Sequence, residues 1–183
     1  KPLDLGGSMG AEEAPARGLA FVARELLKRL KMPMELATAA ILGMGKVGAG
    51  VARILYTEGI RIMAVGDVTG AVYCRSGLHI PGLLEHLRQG KLLCDYQDAG
   101  VQHITNDELL RLECDILVPA ALECQLCEKN AGEIGAKIII EGAHCPTTWK
   151  ADEILAERGV VVVPEDRSSL WAVQTPQVFE ASL

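Results

Sequence analysis

Apolar residues recur along the chain in two alternating rhythms. From Pro15 onward Leu19, Val22, Ala23, Leu26, Leu27 and Leu30 return every three or four positions, which predicts a helix with one buried face. Lys28, Arg29 and Lys31 close it where the dipole favours cations, and Pro33 ends it. Residues 36–42, which end in the apolar run Ala39-Ala40-Ile41-Leu42, predict the first sheet strand. Val47, Val51, Ile54 and Leu55 restore the helical rhythm over 46–58, with Gly59 as the stop, and 61–67 is a second buried strand. Residues 71–75, flanked by Thr69-Gly70 and Ser76-Gly77, predict a small excursion before a helix near Pro81. The stretch 94–105 has no clear pattern. Asn106 is expected to cap a short helix over 106–110, followed by a strand at 115–119, a helix at 124–134 and a strand at 137–141. An amphipathic helix at 148–158 and a strand at 160–163 complete the series. Strands alternating with helices predict right-handed βαβ units, hence an α/β fold with a doubly wound parallel sheet covered on both faces.

The first strand runs into Gly43-Met44-Gly45-Lys46-Val47-Gly48, three glycines spaced G-x-G-x-x-G at a strand-to-helix turn. Gly43 can take the turn, Gly45 lets backbone approach a pyrophosphate, and Gly48 lets the helix pack closely on the strand. The unpaired N–H groups of the helix N-terminus attract an anion there, and Lys46 adds a full charge. Asp67 ends the second strand at about the 20-residue offset where a carboxylate reaches an adenosine ribose. An acid there accepts from a 2′-hydroxyl and repels a 2′-phosphate, so the pattern predicts NAD in preference to NADP. The plainer alternative is that the glycines only turn the chain.

Composition narrows the partners. With 183 residues, 49% of them apolar, the chain can bury a substantial core. Its net charge is −6, and it has no basic block, aromatic ladder or repeat, which argues against nucleic acid as a partner. No apolar run reaches the ~18 residues of a membrane span, and the first residues do not read as a signal peptide. The expectation is a cytoplasmic protein whose six cysteines are free thiols or metal ligands.

With these residues placed, the chain resembles the C-terminal, dinucleotide-binding domain of glutamate dehydrogenases; leucine and phenylalanine dehydrogenases match less well. The resemblance starts at Lys1-Pro2-Leu3 and Gly6-Gly7-Ser8 and passes through Glu13-Ala14, Arg17-Gly18, the glycine turn, Ile80-Pro81 and Ile104-Thr105-Asn106. It is most specific at Val118-Pro119-Ala120-Ala121-Leu122-Glu123, Glu141-Gly142-Ala143 and Pro146-Thr147-Thr148. It implies a Rossmann domain over residues 1–164 that binds NAD through Gly43, Met44, Gly45, Lys46, Val47, Gly48, Asp67, Val68, Ala120, Ala121 and His144. In such enzymes the cofactor accepts a hydride from glutamate, and 2-oxoglutarate and ammonia are released. Several positions depart from the family pattern: Ala11 stands in place of an Arg, Pro15 of a Thr, and Lys46, Cys124 and His144 of asparagines. The substrate domain with its catalytic lysines and acid has no counterpart in the sequence, so the chain alone is not expected to catalyse. Its implied partners are a dinucleotide and either a separate substrate domain or a second copy of the chain.

Two features fall outside that resemblance. After Pro164 the tail 165–183 diverges, and within it residues 166–179 are similar to a segment of methylerythritol phosphate cytidylyltransferases, which points to a chimera, a design or a rearranged gene; Trp171, Val173, Val178 and Phe179 need a surface to cover, on the domain or on a partner chain. Cys124, Cys127, His144 and Cys145 follow two strands expected to be neighbours, and three thiolates with an imidazole suit tetrahedral zinc. The alternative function is therefore a non-catalytic scaffold or metal-binding protein, with this Cys/His set in the former nicotinamide pocket.

Overall fold

The computed structural model describes residues 13–163. The readings at Ala11, at the first glycines and over the tail after Pro164 lie outside the described residues. Twelve elements follow one another: α1 (Ala14–Arg29), β1 (Thr38–Leu42), α2 (Lys46–Thr57), β2 (Arg61–Asp67), β3 (Gly70–Tyr73), α3 (Ile80–Arg88), β4 (Gln102–Ile104), α4 (Asn106–Arg111), β5 (Cys114–Pro119), β6 (Ala136–Ile140), α5 (Trp149–Glu157) and β7 (Val161–Val163). The seven strands form one sheet in the order β4-β3-β2-β1-β5-β6-β7.

Every residue of β1 and β5 is buried, as expected of central parallel strands covered on both sides. Alternation then assigns each side chain to a face. Ala39 and Ile41 of β1, Ile116 and Val118 of β5, and Ile138 and Ile140 of β6 pack with α1, α2 and α3. Ala40, Leu42, Leu117 and Ile139 face the other way, onto α4 and α5. The result is three layers, helix on sheet on helix.

The sheet is mixed rather than all parallel. β2, β1, β5, β6 and β7 run parallel, but β3 returns antiparallel to β2, and β4 is antiparallel to β3. The excursion at 71–75 is thus the return arm of a hairpin turned through Val68-Thr69, and β4, in the stretch without pattern, extends that edge. β4 is only three residues long, with Gln102 and His103 exposed and Ile104 half-buried, so it leaves no alternation to read.

Two local expectations also fail. Residues 124–134 are not a helix but a loop with one 3-10 turn, Ala131–Glu133. Asn130 accounts for this: its Oδ1 accepts from the Cys127 N–H at 2.9 Å and its Nδ2 donates to the Gln125 carbonyl at 2.8 Å, side-chain bonds that replace helical ones. Leu126, for its part, forms a bridge with Thr147. The cap of α4 is Thr105 and not Asn106. Thr105 Oγ1 accepts from the Glu108 N–H at 3.1 Å, and the Glu108 carboxylate accepts from the Thr105 N–H at 2.7 Å, a reciprocal capping box. The Thr105 N–H, and after it the Thr105 hydroxyl donating to the same carboxylate at 2.9 Å, hold the Glu108 carboxyl below its ordinary value.

One polar cluster ties the sheet together at the end where the parallel strands begin. Thr38 donates its N–H and its hydroxyl to Asp115 Oδ2, each at 2.9 Å, and the Asp115 N–H returns a bond to Thr38 Oγ1 at 3.0 Å. Lys137 Nζ reaches Asp115 Oδ1 at 2.7 Å. Burial alone would raise the Asp115 carboxyl, but the ammonium and the two Thr38 donors outweigh it and hold the group below its usual range.

Candidate functional site

From β1 the chain goes to β2 on one side and later returns to β5 on the other. Neighbouring connections therefore leave β1 in opposite directions, and a crevice opens at the C-terminal ends of β1 and β5. Ligands of open α/β sheets bind at such a reversal.

The glycine turn sits there, and each glycine has a distinct physical reason. Gly43 has φ +111°, and a Cβ on it would lie 2.6 Å from the Ala120 carbonyl carbon and the Ala121 nitrogen. Its N–H donates to the Gly66 carbonyl, and the Ala120 N–H donates to the Leu42 carbonyl, both at 2.7 Å, so the turn is pinned to β2 and β5 together. A Cβ on Gly48 would lie 1.7 Å from the Gly43 carbonyl oxygen; this is where α2 presses on the turn. Gly45 differs. A Cβ there meets nothing within 4 Å, so its missing side chain opens space toward the crevice and packs against nothing. Gly45 is also the N-cap of α2, with no side chain bonded to the helix N-terminus. The first bond within the helix is from the Ala49 N–H to the Gly45 carbonyl at 2.9 Å, which leaves the preceding amides outside the helical ladder. Lys46 is exposed at this end, while Met44 and Val47 are half-buried and lean on the core, so what they offer a ligand is backbone.

Asp67 ends β2 half-buried, at the edge of the same crevice. Its Oδ1 accepts from the Thr69 N–H at 2.7 Å and from the Thr69 hydroxyl at 2.6 Å. Asn106 Nδ2 donates to the Asp67 carbonyl at 2.8 Å, and Gly66 has no side chain because a Cβ there would lie 2.5 Å from Asn106 Oδ1. Thr69 and Asn106 thus fix the carboxylate and its backbone. Sequence reasoning missed both roles; the T-x-x-E spacing at Thr105 is the signal that places the start of α4. Val68, next to Asp67, is 95% exposed at the hairpin tip.

Across the crevice Ala120 is half-buried, and Ala121, Leu122, Glu123 and Cys124 are exposed. Beside them the Gly142 and Ala143 N–H groups donate to the Pro119 carbonyl at 2.9 and 3.0 Å, and His144 is exposed. Cavities of about 550 and 510 Å³ lie elsewhere, one between α2 and α3 and one where β1 and β2 begin.

The zinc expectation is not supported. The loops after β5 and β6 do lie side by side, with the Cys124 N–H bonded to the Cys145 carbonyl at 3.0 Å. Among the described residues, however, no three His, Cys, Asp or Glu side chains come together as a metal-binding set. Neighbouring backbones did not bring Cys124, Cys127, His144 and Cys145 into convergence. The cysteines are all free, with Cys74 and Cys114 buried.

A three-layer α/β sheet whose strand order reverses at a glycine-led helix N-terminus defines a doubly wound α/β domain. The chain belongs to the glutamate/leucine/phenylalanine/valine dehydrogenase family, whose profile matches residues 6–173 and so continues past Pro164. It is 40% identical to the NAD-specific glutamate dehydrogenase A of Halobacterium salinarum, over 98% of this chain and 40% of that protein. It is 37% identical to the NADP-specific glutamate dehydrogenase of Synechocystis, over 90% of this chain and 40% of the relative. Among solved structures it is similar to the hetero-hexameric glutamate dehydrogenase of Thermus thermophilus in its Leu-bound form. The TM-score is 0.79 at 31% identity, covering 90% of this chain and 38% of that one. The chain therefore spans about 40% of the length of these relatives. Among the described residues no helix is long and apolar enough to cross a membrane.

Proposed function

We propose that this chain is the NAD-binding part of an amino-acid dehydrogenase of the glutamate type. The observation that carries the reading is the contrast among the three glycines: Gly43 and Gly48 are required by packing, whereas nothing among the described residues requires Gly45. The space it leaves lies beside the N-terminal amides of α2, which suits a pyrophosphate approaching backbone N–H donors. Lys46 adds positive charge to that end, and Asp67, fixed through Thr69 and Asn106, accepts from the adenosine ribose. Val68 offers an apolar surface beside it. Ala120, Ala121 and His144 border the nicotinamide end, where small side chains leave the ring room to lie along the sheet.

NAD, when bound, supplies the hydride acceptor. The protein's part here is to bind the dinucleotide extended across the sheet and to orient it. Oxidation of the amino acid needs a substrate domain beyond these residues, in keeping with the share of the relatives' length that the chain spans. Cys124 and His144, where the family pattern has asparagines, remove the two carboxamides that the pattern offers to the nicotinamide end. Affinity therefore comes mainly from the phosphate and ribose contacts. The test is thermal unfolding with and without NAD, followed by an absorbance assay for glutamate-dependent reduction. A Tm that rises with NAD concentration, without reduction by the chain alone, supports the reading; an unmoved Tm at millimolar NAD overturns it.

A further inference from the structure

Three described residues other than glycine have positive φ: Lys31 at 55°, Cys124 at 54° and Cys145 at 43°. L-residues other than Asn and Asp rarely adopt this region, because Cβ crowds the backbone. Two of the three are exposed cysteines, and they belong to the two adjacent loops that follow β5 and β6. The Cys124 N–H donates to the Cys145 carbonyl at 3.0 Å, and the loops are locked just beyond by bonds from the Leu126 N–H to the Pro146 carbonyl at 2.9 Å and from the Thr148 N–H to the Leu126 carbonyl at 2.8 Å. A direct backbone bond of this kind sets the two Cα atoms roughly 5–6.5 Å apart, within the span of about 4.4–6.8 Å that a disulfide bridges.

We propose that Cys124 and Cys145 are a thiol modification site: a vicinal pair that closes to an intramolecular disulfide between the β5 and β6 loops when it meets a low-molecular-weight disulfide. The chemistry balances in two exchanges. The thiolate of one cysteine attacks a sulfur of the small disulfide, whose S–S bond breaks, and one small thiolate leaves and takes up a proton. The second cysteine, as thiolate, then attacks the protein sulfur of the mixed disulfide, and the second small thiol departs. Two protein thiols are oxidised to one disulfide, and one small disulfide is reduced to two thiols.

The remaining cysteines differ in surroundings. Cys74 and Cys114 are buried, and burial, followed by the neighbouring Asp115, pushes the Cys114 thiol up to about 12, which leaves almost no thiolate to react. Cys94 is exposed but sits after α3, in the Leu93–Asp95 turn, away from these loops. Cys127 is half-buried, with its N–H held by Asn130. Only the Cys124 and Cys145 pair combines exposure with a direct backbone bond between its members.

The experiment equilibrates the intact chain in mixtures of a small thiol and its disulfide, traps free thiols by alkylation, and maps them by mass spectrometry. The proposal predicts that Cys124 and Cys145 disappear from the alkylated pool together, at a ratio where Cys94 remains fully alkylated. A single linked peptide should join 124 to 145, with the protein monomeric. Cys124→Ser should leave Cys145 alkylatable or carrying the small thiol, and Cys127→Ser should change nothing; both variants are checked for fold by circular dichroism. Persistent alkylation of both cysteines, a link to Cys127, or a mixed disulfide on Cys145 that never resolves in the parent chain would overturn the proposal. None of these readouts depends on whether NAD binds.

Discussion

Replacing Gly45 by valine separates the fold from the proposed binding. Gly45 has φ −73° and ψ −166°, an extended conformation open to any residue, and a Cβ at this position meets no atom within 4 Å. The cost to the fold is therefore small: valine is a poorer N-cap than glycine by roughly 0.5–1.5 kcal/mol, and the stiffer unfolded chain returns about 0.4–1 kcal/mol. A net change within about 1 kcal/mol shifts Tm by only about 2–4 °C in a domain of this size. The same side chain fills the approach to the amides of α2. Hydrogen bonds from neutral donors to a charged group are worth about 1.5–3 kcal/mol each, so losing two weakens NAD binding by roughly 100-fold or more. Gly48→Ala is the counterpart. Its methyl would fall 1.7 Å from the Gly43 carbonyl oxygen, so backbone must move, at a cost of about 1–3 kcal/mol or more, and Tm and binding should fall together. Calorimetric titration with NAD, paired with thermal melts of both variants, reads the two effects independently. If Gly45→Val keeps NAD affinity within threefold of the parent chain at an unchanged Tm, the reasoning about the glycine turn is refuted.

Asp67 should make the chain prefer NAD over NADP by at least tenfold, since a carboxylate facing a 2′-phosphate is repelled by it, and Asp67→Ser should narrow that ratio; equal or reversed affinities in the parent chain would show that Asp67 does not meet the ribose. Asp115→Ala should cost about 2–4 kcal/mol in urea unfolding, because it removes a buried acceptor shared by Thr38 and Lys137; a loss below 0.5 kcal/mol would mean the cluster is dispensable. The Asp115 carboxyl is held below its ordinary value in the folded chain, so its contribution is complete above the unfolded carboxylate value of about 4 and is lost as pH falls through the lower folded value. Urea midpoints measured from pH 7 to 3 should therefore decline less steeply for Asp115→Asn than for the parent chain.

The central layers were legible because their physics is local. A parallel strand buried on both faces reads as a short apolar run, and β1, β5 and β6 each carry one after a single polar residue near the start, Thr38, Asp115 and Lys137. The helices α1 and α2 announce themselves by apolar residues at three and four, and the glycine turn by its G-x-G-x-x-G spacing. What escaped depends on partners distant in sequence or on single side chains. β4 is three residues at an edge and earns its place by pairing with β3, which no window of sequence displays. The loop at 124–134 carries Leu126, Ala131 and Ile134 into the core and so mimics a helix, but Asn130 and the bridge to Thr147 redirect its backbone. At the site, the positions of Asp67 and the glycines could be anticipated, whereas the grip of Thr69 and Asn106 on Asp67 needs a hairpin and a helix to meet. The zinc set fails for a related reason: adjacency of two loops follows from topology, but convergence of four side chains requires orientations that spacing does not encode.

The central claim is that a dinucleotide lies at the glycine turn and extends to Asp67. It is tested most directly by following backbone amide resonances of the isotope-labelled chain through a titration with NAD. The account predicts saturable shifts largest at Gly45, Lys46, Val47 and Gly48, with a second group at Asp67, Val68 and Thr69 and weaker ones at Ala120 and Ala121. Shifts confined to the cavity lined by Arg61, Tyr73 and Arg75, or the absence of any at Gly45 and Asp67 under saturating NAD, would contradict it.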